Sequence, residues 1–341
     1  AVDSSGNTYT TGYFRGTVDF DPGAGTASLT SPGGADDIFI TKLNASGNYL
    51  WAKNLGGSSY DIGYSIAVDS SGNTYTTGYF SGTADFDPGA GTANLTSANY
   101  EDIFITKLDA NGNYLWAKGI GGSGTDYGRG IAVDSSGNTY TTGYFNGTVD
   151  FDPGAGTAYL ASFGIFDTFI VKLDANGNYV WAKQIGGGGG DLANSIAVDS
   201  SGNTYTTGYF NGTADFDPGT GTANLTSAGG SDDIFITKLD ANGNYLWAKQ
   251  MGGSAGDEGR SIVADSSGNT YTTGIFNGTV DFDPGAGTFN LTSAGAWDIF
   301  ITKLNADGTF AWAKQMGGSA GEDGNAIALD SSGNINTPGY F

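Results

Sequence analysis

Pairs of aspartates spaced two residues apart recur five times in this chain, each within the motif Asp-Phe-Asp-Pro-Gly. In an extended segment, residues i and i+2 point to the same side, so each motif presents two carboxylates together. Carboxylates and the carbonyls freed by a Pro-Gly turn are oxygen ligands that suit calcium. The spacing therefore predicts calcium sites at five pairs, which are Asp19 and Asp21, Asp85 and Asp87, Asp150 and Asp152, Asp215 and Asp217, and Asp281 and Asp283.

A structural interpretation of the same motif stays open. The second aspartate of each pair is placed to start a turn, where its carboxylate accepts backbone N–H bonds before Pro and Gly. The motif also lacks the full spacing of a recognised calcium loop. The turns Asp69–Asn73 and Asp109–Asn113 look like calcium loops as well, but they join strands and lack a distal glutamate. For these two we expect tight-turn chemistry.

A second group of acidic residues precedes the first strand of each unit. We expect them to lie in solvated loops and to form, together with the Asp-Phe-Asp-Pro-Gly segments, a strongly negative face. They are Asp61, Asp126, Asp191, Asp257 and Asp323.

These motifs are carried by a repeat that spans the whole chain. The string DSSGN begins at Asp3 and returns every 65 or 66 residues up to Asp330. Such a period indicates one supersecondary unit copied along the chain, each copy burying its apolar faces against its neighbours. We predict a single domain over residues 1–341, with repeats at 1–66, 67–131, 132–196, 197–262 and 263–327 and a partial copy at 328–341.

Each repeat is predicted to form four antiparallel strands. In the second copy, a short run at 65–68 turns at DSSGN into a Thr- and Tyr-rich strand at 74–80, and a third strand at 102–108 turns at Asn-Gly into a fourth at 114–118. The third strand is apolar on both faces, so it needs a neighbour on each side, as a blade wedged between two blades has. The predicted fold is an all-β propeller with about 65 residues per blade, five blades and a terminal hairpin at Ala326–Phe341; a parallel β-helix is the rival.

The repeat also resembles a known family. The stretch GGSGTDYGRGIAVDSSGNTYTTGYF, continued by DTFIVKLDANGNYVWAKQIGG, is similar to the SBBP β-propeller repeat, a relative of NHL repeats. The resemblance covers essentially the whole chain. It implies a large bacterial surface or secreted protein, and it supplies no catalytic residues.

Composition limits the classes of function. The net charge is −22, so the surface repels nucleic acid and anionic lipid. Cysteine and histidine are absent, which removes disulfides, thiolate nucleophiles, the usual zinc sites and imidazole chemistry. No apolar run is long enough for a transmembrane helix. The chain opens on AVDSSGN without a charged-then-apolar leader, so we expect a mature segment or a piece of a longer protein.

We therefore expect a structural or adhesive module, outside the bacterial cell or on its surface, that calcium stabilises and that binds another extracellular protein or a glycan. The alternative is a carbohydrate-binding module that uses the loop face and Trp297. Near-identical repeats present near-identical surfaces, whereas catalysis needs different groups at one point, so no enzyme is predicted. The terminal hairpin is predicted to close the array or to pair with another chain. The recurrent tryptophans are predicted to pack between blades, and they are Trp51, Trp116, Trp181, Trp247 and Trp312.

Overall fold

The computed structural model describes residues 1–330 and 332–340. The chain forms two compact units, one of Ala1–Ala161 with Val171–Ala182 and the other of Ser162–Ile170 with Lys183–Phe341. The boundary between the units runs through the third repeat. The single domain predicted over 1–341, its repeat limits and its blade count stay predictions.

Short strands joined by tight turns make up almost all of the described chain. The first two repeats contain β1 Thr8–Phe14, β2 Thr17–Asp19, β3 Ser28–Thr30, β4 Asp37–Leu43, β5 Tyr49–Gly57, β6 Asp61–Val68, β7 Thr74–Asp85, β8 Asn94–Leu108 and β9 Tyr114–Gly122. The third contains β10 Tyr127–Val133, β11 Thr139–Phe145, β12 Thr148–Asp150, β13 Tyr159–Ala161, β14 Asp167–Leu173 and β15 Tyr179–Gly187.

The later repeats follow the same order. They contain β16 Asp191–Val198, β17 Thr204–Phe210, β18 Thr213–Asp215, β19 Asn224–Thr226, β20 Asp233–Leu239, β21 Tyr245–Met251, β22 Glu258–Ala264, β23 Thr270–Phe276, β24 Thr279–Asp281, β25 Asn290–Thr292, β26 Asp298–Leu304 and β27 Phe310–Met316. Two single 3₁₀ turns, Pro32–Gly34 and Ala228–Gly230, are the helical segments of the described chain, and both are far too short to cross a bilayer.

In the second unit each complete repeat has its own antiparallel sheet, whereas in the first unit the strands of successive repeats join in one nine-stranded sheet. In the second unit the order is β16-β17-β20-β21, and β17 pairs with β20 over seven residues, from Thr204 opposite Leu239 to Phe210 opposite Asp233. The Thr-Tyr-Thr-Thr run favours this central position because β-branched and aromatic side chains pack well on a pleated surface. Within the first unit, β7 likewise pairs with both β6 and β8, and β8 with β9. The predicted all-β, antiparallel architecture is confirmed.

The insert between the second and third strands of each repeat is rich in turn-forming residues. It forms a second hairpin, such as β18 with β19, in which Asp215 lies opposite Asn224. The hairpin also extends the edge of the preceding repeat, since Asp150 and Val149 pair with Gly121 and Gly122. This insert therefore joins consecutive repeats.

The core lies on both faces of the third strand, as the sequence predicts. Ile103, Phe104 and Ile105 are all fully buried. Phe86, the aromatic residue of an Asp-Phe-Asp-Pro-Gly motif, has its ring centroid 5.6 Å from that of Phe80 and 5.1 Å from that of Phe104. The insert is thus anchored in the core by its own aromatic side chain.

The last part of the chain forms the predicted hairpin. Its strands are β28 Asp323–Gly324, β29 Ala328–Leu329, β30 Ile335–Asn336 and β31 Gly339–Tyr340. β28 pairs with β31 and β29 with β30. Two residues of the predicted hairpin, Ser331 and Phe341, lie outside the described residues. Its role in closure or self-association stays a prediction.

Candidate functional site

The five aspartate pairs lie where the insert hairpins end. In the fourth repeat, Asp215 Oδ1 accepts the backbone N–H groups of Asp217 at 3.0 Å and Ala223 at 2.8 Å. Asp217 Oδ1 accepts the N–H of Gly219 at 2.8 Å. The same bonds recur in all five repeats. One oxygen of each carboxylate therefore already holds the loop, as the structural interpretation of the motif requires.

A polar cleft opens beside the motif in each unit. In the first unit it measures about 400 Å³ and is bordered by Lys118, Asp150 and Asp152. In the second unit the equivalent cleft measures about 440 Å³ and is bordered by Lys249, Asp281 and Asp283. Among residues 1–330 and 332–340, no three acidic side chains converge as a metal cluster. Two carboxylates with backbone N–H donors on one oxygen each fit calcium only weakly, because calcium takes six to eight oxygen ligands.

The DSSGN turns are held internally, as their sequence predicts. Asp69 Oδ1 accepts the N–H groups of Ser71 and Asn73, and Asp69 Oδ2 accepts bonds from the Asn73 amide and the Tyr75 hydroxyl. Burial raises the pKa of Asp69, but the bonds from Asn73, Tyr75 and Ser71 outweigh it, and the pKa falls below its ordinary value. This carboxylate is fully engaged in turn structure.

The second acidic group does not lie in solvated loops, and that expectation is wrong. Asp61, Asp126, Asp191 and Asp257 are at most 1% exposed. In the fifth repeat the equivalent position is held by Glu322, which is 6% exposed, while Asp323 pairs with Arg260. The side chain of each of these acids points inward, because its carboxylate accepts a hydrogen bond from the backbone N–H of the glycine four residues earlier. These glycines are Gly57, Gly122, Gly187, Gly253 and Gly318.

Each buried acid lies beside another buried acid that the sequence analysis did not single out. The second acid opens the third strand and belongs to the set Asp37, Asp102, Asp167, Asp233 and Asp298. In the fourth repeat, the N–H of Asp257 donates to the carbonyl of Asp232 at 2.8 Å, which brings Asp257 next to Asp233. The corresponding backbone bond occurs in all five repeats. An aspartate immediately before an apolar Ile-Phe-Ile run was the available signal.

Burial controls the ionisation of these pairs. Burial, together with the negative charge of Asp233, raises the pKa of Asp257 to about 7, although bonds from Asn277 and Gly253 oppose the rise. Burial raises the pKa of Asp233 to about 6, against bonds from Ala228 and Gln250. The Asp37 and Asp61 pair shows the same values, about 6 and about 7, for the same leading reason. These carboxyl groups hold protons at a pH where free aspartate has lost them.

The recurrent tryptophans connect one repeat to the next, as predicted. Trp247 Nε1 donates to the carbonyl of Ala306 in the next repeat at 3.2 Å, and Lys238 Nζ lies 3.3 Å from the same oxygen. Lys238 Nζ also lies 4.9 Å from the centroid of the Tyr205 ring. Gly308, with φ +80°, brings the turn against the Trp247 indole. Trp51 and Trp116 make the same bond to Ala110 and Ala175.

Two aromatic features interrupt the regularity. Trp297, which the carbohydrate-binding alternative invokes, is half-buried, and its ring packs over Gly256. In the first unit, the rings of Tyr79 and Tyr127 stack with centroids 4.4 Å apart. The Arg129 guanidinium lies 4.3 Å from the centroid of Tyr64, a ring that is 38% exposed. The sequence analysis missed this tyrosine–arginine cluster, because its members come from two repeats.

Known proteins with similar sequences also contain repeats of the β-propeller type. Four segments match the SBBP family model, described as a β-propeller repeat, at residues 50–85, 115–149, 180–217 and 246–275. An uncharacterised WD repeat-containing protein of Acanthamoeba polyphaga mimivirus is 27% identical over 417 residues, covering 100% of this chain and 30% of that protein. Regulatory protein FlaEY of Caulobacter vibrioides is 28% identical over 175 residues, covering 49% of this chain and 18% of that protein. The chain spans less than a third of the length of these curated relatives.

One solved structure aligns over most of its length. It is a protein of unknown function from Bacteroides caccae, with 8% identity, a TM-score of 0.37 and coverage of 90% of this chain and 94% of that chain. At this TM-score the similarity supports no functional argument.

Proposed function

We propose, from the four segments that match the SBBP β-propeller repeat model, that the chain is a non-catalytic structural or adhesive module of a bacterial extracellular or cell-surface protein. One observation carries the proposal. The Asp-Phe-Asp-Pro-Gly segment, which leads into an exposed turn, is held by the same bonds in all five copies. Copies of one surface suit multivalent contact with an extracellular protein or glycan, whereas catalysis needs unlike groups at one point.

A carbohydrate-binding module is the second candidate, and the tyrosine–arginine cluster favours it. Exposed aromatic rings stack on the apolar faces of sugars, and Tyr64 offers such a ring beside Arg129.

A glycan array with parallel assays for glycoside and ester hydrolysis tests both candidates. We expect no turnover under either candidate. Sugar binding that Tyr64→Ala removes and Tyr100→Ala keeps would identify the carbohydrate-binding module, since Tyr100 is 60% exposed and lies outside the cluster. Turnover of any substrate would contradict both candidates.

Calcium stabilisation is proposed as a weak effect of the aspartate pairs. With few carboxylate ligands, the dissociation constant falls in the millimolar range of extracellular modules. At ten times that constant, each site adds about 1.4 kcal/mol to the free energy of unfolding. We expect millimolar calcium to raise the thermal midpoint, and expect the paired changes Asp281→Asn and Asp283→Asn to reduce the rise. An unchanged rise in that variant would locate the calcium elsewhere, and no rise in the parent chain would remove calcium from the proposal.

A further inference from the structure

In every repeat two buried acidic side chains meet without a basic partner. We propose that each of the four pairs that consist of two aspartates binds one proton shared between the two carboxyl groups, so that these repeats are most stable at mildly acidic pH and weaken as the pH approaches neutrality. This proposal stands on the geometry of the pairs and is independent of the proposed function.

Burial raises the pKa of both carboxyl groups in the fourth pair, so either can carry the shared proton, and the hydrogen bonds decide between them. Asp257 accepts two backbone bonds, from Gly253 to Oδ2 and from Asn277 to Oδ1, each at 2.9 Å. These donors stabilise its ionised form. Asp233 accepts both of its bonds at Oδ2, from the N–H of Ala228 and the amide of Gln250.

The other oxygen of the strand-opening acid has no hydrogen-bond partner. This holds for Oδ1 of all five such acids, which are Asp37, Asp102, Asp167, Asp233 and Asp298. An unpaired, fully buried carboxylate oxygen is costly, but a proton on it turns the oxygen into a donor toward the neighbouring carboxylate. The shared proton therefore gives a hydrogen bond to a buried oxygen that has none from the rest of the fold.

The first repeat shows that the two carboxylates face the same point. A Cβ atom placed on Gly56 would lie 3.0 Å from Asp37 Oδ1 and 2.9 Å from Asp61 Oδ2. The equivalent glycines of the other repeats, Gly121, Gly186, Gly252 and Gly317, pack directly against the strand-opening carboxylate. The carboxyl groups occupy the space beside each glycine, and a shared proton can be added without any further room.

The surrounding charges give no compensation. Beside the fourth pair lie Asp232 and Glu258, its chain neighbours, and Asp281, whose backbone bridges to Gly252. Lys249 borders the cleft that Gly252 and Asp281 also line, but its charge helps to lower the pKa of Asp307 and is not among the charges that shift the pKa of Asp233 or Asp257. In the other repeats, Glu101 lies beside Asp102, and Asp36, beside Asp37, is bonded to Arg15. Two like charges in such a site cannot both ionise readily, and one proton remains.

The sign of the pH effect follows from proton linkage. The folded pair keeps its proton up to about pH 6 to 7, whereas unfolded aspartate loses it near pH 4. Between these values the folded chain binds more protons than the unfolded chain, so stability falls as the pH rises. When the proton leaves for bulk water, two negative charges remain side by side in the core.

Thermal unfolding of the full chain between pH 4.5 and 8 tests the proposal on three variants. Asp233→Asn places an amide N–H donor where the shared proton lies and keeps an oxygen that accepts the hydrogen bond from the Gln250 amide. We expect it to raise the midpoint at pH 8, leave it nearly unchanged at pH 4.5, and flatten the profile. Asp257→Asn replaces an acceptor of a backbone N–H with a donor, so it should lower the midpoint at both pH values.

The charge-matched control is Asp307→Asn, which introduces the residue that Asn111, Asn176 and Asn242 provide in the equivalent turns. Its profile should parallel that of the parent chain. If Asp233→Asn also parallels the parent chain, or loses stability equally at both pH values, the proposal of a shared proton is wrong.

Infrared spectra of the parent chain test the proposal without any variant. A carbonyl band of un-ionised carboxylic acid should persist at pH 6, and its absence would overturn the proposal.

Discussion

Replacing Gly252 with alanine is expected to lower the free energy of unfolding by about 3 to 5 kcal/mol. The new Cβ would collide with the Asp233 carboxylate, which Ala228 and Gln250 hold in place. Overpacking of this kind costs about 1 to 3 kcal/mol, and displacing a buried, hydrogen-bonded acid adds a similar loss. Chemical denaturation monitored by circular dichroism measures the change.

Gly188 provides the matched control for this substitution. A Cβ at Gly188 would meet no atom within 4 Å, so Gly188→Ala should leave the stability within about 0.5 kcal/mol of the parent chain. Equal losses in the two variants would show that the acid pair does not require the glycine beside it.

Replacing Trp247 with alanine is expected to cost about 3 kcal/mol. The indole covers the turn at Gly308 and is one of two donors to the Ala306 carbonyl, the other being Lys238 Nζ, so its removal leaves a cavity and takes one hydrogen bond from that oxygen. Trp247→Phe keeps most of the packing and should cost about 1 kcal/mol for the lost hydrogen bond. Denaturant midpoints give these losses, and amide exchange should increase in the turn at 305–309.

The neighbouring Leu246 is the control for the tryptophan. It is 47% exposed in the same strand, so Leu246→Ala should have little effect. A loss at Trp247 no larger than the loss at Leu246 would show that the tryptophan does not connect the repeats.

Much of the fold was predictable because its signals are local. The β-branched and aromatic residues of β17, the Asn-Gly turns and the Ile-Phe-Ile run of β20 each specify a strand or a hairpin within ten residues. The bonds of Asp69 were predictable for the same reason, since all of its partners lie within six residues.

The acid pairs depend on distant parts of the chain. Asp233 and Asp257 meet only after the fourth strand has returned along the third, and a backbone bond to Asp232 then fixes Asp257 in place. An aspartate in a polar, Gly-rich linker is normally solvated, so its local sequence suggested an exposed loop. The tyrosine–arginine cluster escaped notice for the same reason, because Tyr64 and Arg129 come from consecutive repeats.

The shared proton also changes how the charge of the chain is understood. The formal net charge of −22 assumes that every carboxyl group is ionised at pH 7. Protons held in the core would make the net charge of the folded state less negative than −22, and unfolding would release them.

Counting these protons tests the central claim most directly. Potentiometric titration of the folded chain, and of the same chain in denaturant, gives the difference in bound protons at pH 5.5. One shared proton in each of the four pairs of buried aspartates predicts that the folded chain binds about four more protons than the unfolded chain. Equal proton binding in the two states would contradict the account.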